Sequence, residues 1–144
     1  MLQKKMITLE MASRMADAAE AKALELKIQI SIAIIDESGN LKYFRRMDRT
    51  SYGSVRISQL KGRSSASLPF STKARGERSA GLPGNPYGGG AIPDLLVLQG
   101  GLPILTSSGE HLGGVGVSGA TSEQDEKCSQ AALDAIRGEL ASDG

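Results

Sequence analysis

Three groups of residues have types and spacing that could do chemistry. They are the run Leu112-Gly113-Gly114-Val115-Gly116-Val117-Ser118-Gly119 leading into Gln124-Asp125-Glu126, the cations Arg46, Lys61 and Arg63, and the lone His111. A glycine-paved strand that ends where a capped helix begins offers unpaired backbone N–H groups, and the absent Cβ atoms let a ligand approach the main chain. That junction is expected to form one wall of a small-molecule pocket; the plainer alternative is that the glycines only let strand and helix pack tightly. Arg46 at a strand exit, with Lys61 and Arg63 on the following helix, can be aimed at one carboxylate or propionate. Asp36, Asp48 and Asp125 are available as ion-pair partners, and in that case the cations are structural. Near a helix C-terminus, Lys61 and Arg63 would each also offset the dipole by about 0.3–1 kcal/mol.

Other chemistries are narrowed by what the chain lacks. One His and one Cys exclude a Cys/His zinc site, and no metal site is expected. His111 is either an axial haem ligand or proton carrier, or an exposed turn residue. A Cys–His dyad would require it to meet Cys128, which falls on an apolar helical face. The glycine run has no Lys of a phosphate-binding loop and no dinucleotide fingerprint in a βαβ context, which disfavours nucleotides.

The elements that must position these residues follow from periodicity and turn chemistry. Thr8 caps a helix over residues 8–27 whose apolar face is mostly alanine. Alternating isoleucines give a strand over 28–35, a turn occupies 36–40, and 41–47 returns as the second arm of a hairpin. A second helix spans 51–66. Glycines and two prolines over 76–91 predict a long loop, a lid or an interface arm. The chain turns apolar over 92–98, passes Gly100-Gly101, and forms a second hairpin from 103–106 and 112–118. Thr121 with Gln124 has capping-box spacing, and the last helix runs to about residue 140 with Cys128, Ala131, Ala132, Ala135, Ile136 and Leu140 inward. Residues 1–144 thus form one α+β domain with an antiparallel sheet of about five strands covered by helices.

Seventeen basic residues against sixteen acidic ones leave a net charge of +1, and three Tyr, two Phe and no Trp leave little to stack on bases; no nucleic-acid partner is expected. No segment approaches the roughly 20 apolar residues of a membrane span, and the N-terminus lacks a secretory signal. With a single unpaired Cys128, a cytoplasmic location follows.

In motif order the chain resembles the GlcG/HbpS-like family. The residues that carry the resemblance are Ile34-Ile35-Asp36 with Gly39 and Leu41, Arg46-Met47-Asp48, Lys61-Gly62-Arg63-Ser64, Gly100-Gly101-Leu102-Pro103-Ile104, Gly114-Val115-Gly116-Val117-Ser118-Gly119 and Gln124-Asp125-Glu126. That family includes haem-binding proteins and the C-terminal domain of PduO-type proteins. The resemblance implies a profilin-like fold, assembly into dimers or larger even-numbered homo-oligomers, a place in bacterial catabolic operons, and in some members haem or a related tetrapyrrole as ligand.

Two functions from different classes follow. In the first, the chain binds haem, another tetrapyrrole or a small carboxylate, with Lys61 and Arg63 neutralising the anion beside Gly100, Gly101, Gly116, Ser118 and Gly119. In the second it is a cofactor-independent isomerase, hydrolase or lyase on a ring-cleavage or oxo acid. There Arg63 clamps a carboxylate and Lys61, Asp36 or Asp125 moves the proton. A third role, stabilising a larger enzyme through the glycine loop, would need a protein partner.

Overall fold

A computed structural model describes residues 1–80 and 95–141. Helix α1 (Leu9–Leu26) opens as its sequence dictates, with Thr8 Oγ1 accepting from the Met11 N–H at 3.1 Å and Glu10 in the first turn. It closes at Lys27, which takes the left-handed conformation (φ 59°) and donates its N–H to the last carbonyls. Ile28 also belongs to this cap, donating to the Ala23 carbonyl, so β1 (Ser31–Ile35) begins later than the isoleucine alternation suggests. β2 (Leu41–Arg46) returns antiparallel to it.

Helix α2 (Gly53–Ser67) has no side-chain cap, and Ser51 contributes only its carbonyl, which accepts from the Ser54 hydroxyl. Residues 76–80, expected in a loop, are instead the end of α3 (Thr72–Ala80). Proline-free sequence and a Ser71 hydroxyl that accepts from the Ala74 N–H are enough to start that helix. The remainder of the expected loop, 81–91, lies outside the described residues. β3 (Gly101–Leu105) and β4 (His111–Ser118) form the second hairpin as expected. The Thr121–Gln124 capping box starts α4 (Ser122–Ala135). Ile136 then leaves helical geometry, so the helix expected to reach 140 is divided and α5 (Arg137–Ala141) follows.

The described residues contain one sheet of four strands, in the order β2-β1-β4-β3 with every neighbouring pair antiparallel. About five strands were expected. The difference lies in the apolar segment 92–98: its first three residues are outside the described set, and 95–97 have no regular structure. There the Leu96 N–H is given to the Ser64 hydroxyl at 2.6 Å and not to a strand ladder.

Strand register decides what covers each face. Ile32 pairs with Val117 and Ile34 with Val115, and these four side chains share one buried cluster with Ala12, Met15, Ala19 and Ala23 of α1 and Cys128 and Ala132 of α4. Intervening positions point the other way. On that second face β4 presents Gly114 and Gly116, and α2 lies directly against them. A Cβ at Gly116 would strike the Ser58 carbonyl oxygen and the Gly62 nitrogen; one at Gly62 would sit 2.8 Å from Ile35 Cγ1. The inward face of α2 is correspondingly small and polar, with Ser54, Ser58, Lys61, Gly62, Ser64 and Ser65 buried. Its hydroxyls are satisfied close by: Ser58 and Ser65 donate to carbonyls of their own helix, and Ser54 bonds Ser31 at 2.8 Å.

Two glycine substitutions should therefore differ in cost. Gly116→Ala must push backbone off backbone and is expected to cost about 3 kcal/mol, whereas Gly39→Ala, in an open turn at φ 82°, should cost about 1 kcal/mol of conformational strain. Urea unfolding midpoints would order the two; equal losses would show that α2 can lift off the sheet cheaply.

Candidate functional site

Lys61 leaves the inward face of α2, passes Gly100, and ends with Nζ donating to the Val117 carbonyl at 2.9 Å and to Asp125 Oδ2 at 3.0 Å. Both side chains are 3% exposed. The second carboxylate oxygen, Asp125 Oδ1, accepts from the Ala120 N–H at 3.0 Å. Gly100 is required at this crossing, because a Cβ there would lie 2.7 Å from Lys61 Nζ on a backbone at φ 135°. Its carbonyl accepts from the Ser129 hydroxyl, and the neighbouring Gly101 N–H donates to Thr72 Oγ1. The expected cation therefore faces a carboxylate of its own chain and not an external anion.

The other residues singled out from sequence are placed as follows. Gly101 and Gly116 meet the backbone of α2, Ser118 is buried at the end of β4, and Gly119 (φ 143°) packs on Gln29 and Ile30. Lys61, Gly100, Gly101, Gly116 and Asp125 do come together, but around a seam filled by protein atoms. Arg63 is exposed on the opposite side of α2. Asp36 Oδ1 accepts from the Ser38 and Asn40 N–H groups, which fixes the β1–β2 turn. Arg46 donates to the Thr50 carbonyl, so the trio Arg46, Lys61 and Arg63 does not converge. Of the residues assigned to proton transfer in the enzyme reading, Lys61 and Asp125 are joined in the buried ion pair, whereas Asp36 lies apart in the β1–β2 turn.

His111 Nε2 lies 2.8 Å from the Ser65 carbonyl, while Cys128 is buried in the cluster on the other face of the sheet, so they form no dyad. Burial first, and the charge of Asp125 second, push the Cys128 thiol up to about 11. Among the described residues no His, Cys, Asp and Glu side chains gather as a metal site. No described helix is long and apolar enough to cross a membrane.

Surface concavities among the described residues include two that hold residues singled out from sequence. One, of about 250 Å³, lies along the outer face of α2 and is lined by Val55, Arg56, Gln59, Leu60 and Arg63. The other is a long groove beside the end of α1. Its two sections, of about 720 and 620 Å³, share Ile28, Gln29 and Arg49. Leu24, Lys27 and Met47 line the first section, and Ser51, Gly119 and Thr121 the second. Among the described residues, the two non-glycine residues with positive φ, Lys27 (59°) and Arg49 (65°), both line this groove. Each holds a backbone conformation that costs about 1–2 kcal/mol for an L side chain. The sequence carried a signal for both: a helix end and a tight turn with a long cation where Gly or Asn is usual. Arg56 was legible too, two helical turns before Arg63.

The Lys61–Asp125 pair yields a stability test. Asp125→Ala strands a buried ammonium and should cost about 3–5 kcal/mol, while Lys61→Met combined with Asp125→Leu removes both charges and should recover most of that loss. Denaturant unfolding of these two variants beside the unaltered protein decides. If the double variant is as unstable as Asp125→Ala, the pair is more than a neutralised crossing.

Residues 7–134 match the family described as haem degrading protein HbpS-like. A Citrobacter freundii protein, described as an uncharacterized 15.0 kDa protein in the dhaT-dhaS intergenic region, is 36% identical over 131 residues, covering 89% of this chain and 90% of that one. GlcG of Escherichia coli K12 is 33% identical over 123 residues, covering 82% and 85%. The crystal structure of a Streptomyces reticuli HbpS double mutant is similar with a TM-score of 0.85 at 29% identity, covering 94% of this chain and 90% of that one. The match runs through every described strand and through α1 to α3 and nearly all of α4, and the chain belongs to the HbpS-like family.

Proposed function

We propose that this protein binds haem or a closely related tetrapyrrole in the groove beside the end of α1. The observation that carries the proposal is the placement of Lys27 and Arg49. Both are exposed, both line one groove with Leu24, Ile28 and Met47, and both hold backbone conformations better suited to glycine. Strain kept at a concave surface is a signature of function.

The residues present fit such a ligand. Leu24 is 64% exposed and Ile28 and Met47 are half-buried, giving an apolar wall for a planar macrocycle. Lys27 and Arg49 supply cations for two propionates, in a section that Glu20 and Asp48 also line. The groove volume falls within the range of small-molecule sites. Bound haem would supply an iron centre for one-electron chemistry, and the Met47 thioether is the soft donor among the lining residues. Membership in a family described by haem degradation supports the same reading.

The proposal extends to a cytoplasmic homo-oligomer of even number in a catabolic operon. Exposed Leu9 on α1 supports self-association, and the gene position of the Citrobacter freundii relative supports the operon.

A trade-off of stability against binding tests the groove. Replacing Lys27 and Arg49 by Gly relieves two strained residues and should stabilise the fold by about 1 kcal/mol or more. The same double variant should bind haem at least about tenfold more weakly, since two charge-assisted contacts are lost. Haem titration followed at the Soret band, beside thermal unfolding, reads both quantities. Absence of saturable haem binding, or undiminished affinity in the double variant, refutes the assignment.

A further inference from the structure

We propose that the outer face of α2 is a clamp for a short dicarboxylate, held at its two ends by Arg56 and Arg63. These arginines are seven residues apart, which puts them on one helical face about 10.5 Å apart along the axis. Both are exposed, and neither makes an ion pair or hydrogen bond with the described residues. Their own helix offers no acid to neutralise them, because residues 53–67 contain no Asp or Glu.

The surroundings concentrate positive charge. From residue 56 to 78 the chain carries Arg56, Lys61, Arg63, Lys73, Arg75 and Arg78 against the single acid Glu77, so the remainder of this nearly neutral protein is acidic. Of these cations, Lys61 is neutralised in the interior, Arg75 bonds Ser67 and Arg78 stacks over Phe70 at 4.5 Å. Arg56, Arg63 and Lys73 remain; Lys73 lies on α3, whereas Arg56 and Arg63 flank one cleft.

The shape of that cleft selects the ligand. Val55 and Leu60 give it apolar surface, and Gln59 Nε2 is committed to the Val55 carbonyl at 3.2 Å. Each guanidinium can fork onto one carboxylate, and the apolar lining between them suits a methylene spacer. A single phosphate would engage one arginine and leave the other unused. The volume of about 250 Å³ is small for a macrocycle, and it suits a linear diacid of about four to six carbons.

The clamp is separate from the groove beside α1 and is tested separately. Calorimetric titration of the full chain with adipate should show saturable binding, with hexanoate, which has one carboxylate, at least about tenfold weaker. Arg56→Gln and Arg63→Gln should each weaken adipate about tenfold or more, and Arg63→Lys should fall short of wild type because its charge is kept but its fork is lost. Thermal unfolding of these variants should be unchanged, since both side chains are exposed. The proposal is overturned if adipate does not saturate, if hexanoate binds equally well, or if the arginine variants bind adipate like wild type. Loss of adipate binding in the Lys27 and Arg49 double variant, with the α2 variants unaffected, would place the ligand in the other groove and also overturn it. A protein that ignores haem but takes adipate in an arginine-dependent way refutes the haem reading and leaves the clamp standing.

Discussion

The close approach of α2 to β4 is the constraint on which the rest of the structure depends. Gly114 and Gly116 on the strand and Gly62 on the helix bring main chain against main chain. Little apolar side chain fills the interface beyond Ile35, so it is held by many short contacts, while the Ser58 and Ser65 hydroxyls are satisfied within their own helix. At that spacing a lysine can cross only where a glycine makes room, and Lys61 crosses at Gly100 to reach Asp125. One ion pair thereby joins α2, the end of β4 and the first turn of α4. Its contribution is better understood as fixing relative position than as adding stability, since two desolvated charges return little beyond their own burial cost.

The two faces of the sheet are built on different principles. Toward α1 and α4 the layer is hydrocarbon: isoleucine and valine from β1 and β4 packed on alanines of α1, with Cys128 and Ala132 beneath. Toward α2 it is glycine, serine and Ala33, with Ile35 the one large apolar side chain from β1. The alternation in β4, valine to one side and glycine to the other, produces this asymmetry from a single stretch of sequence.

Most of the fold was legible in the sequence because its signals were local. The Thr8 cap, the turn at Asp36 and the Thr121–Gln124 capping box each act within a few residues and formed as expected, and the isoleucine alternation gave a strand that starts three residues later, at Ser31. The departures arose where distant atoms decided. Leu96 gave its N–H to Ser64 and not to a neighbouring strand, and Ile136 left helical geometry to let α5 turn back, where Arg14 of α1 reaches both the Ala135 carbonyl and Glu139. The site was less legible for the same reason. The glycine run was correctly seen as a place of close approach, but spacing does not tell whether a ligand or another helix makes the approach, and here a helix does. Lys61 and Arg63 are two residues apart, which on a helix sends them to nearly opposite sides, one inward to Asp125 and the other out to solvent.

Because the seam admits no slack, α2 cannot slide or roll on the sheet without main-chain collision. Its outward side chains therefore spring from a rigid base, although nothing packs over them. A ligand meeting Arg56 and Arg63 would find their Cα atoms already at fixed separation, and only the flexible ends of the side chains would have to be ordered on capture. The residues on this outer face can also be exchanged without disturbing the interior, so the same frame can present different recognition chemistry from one descendant to the next.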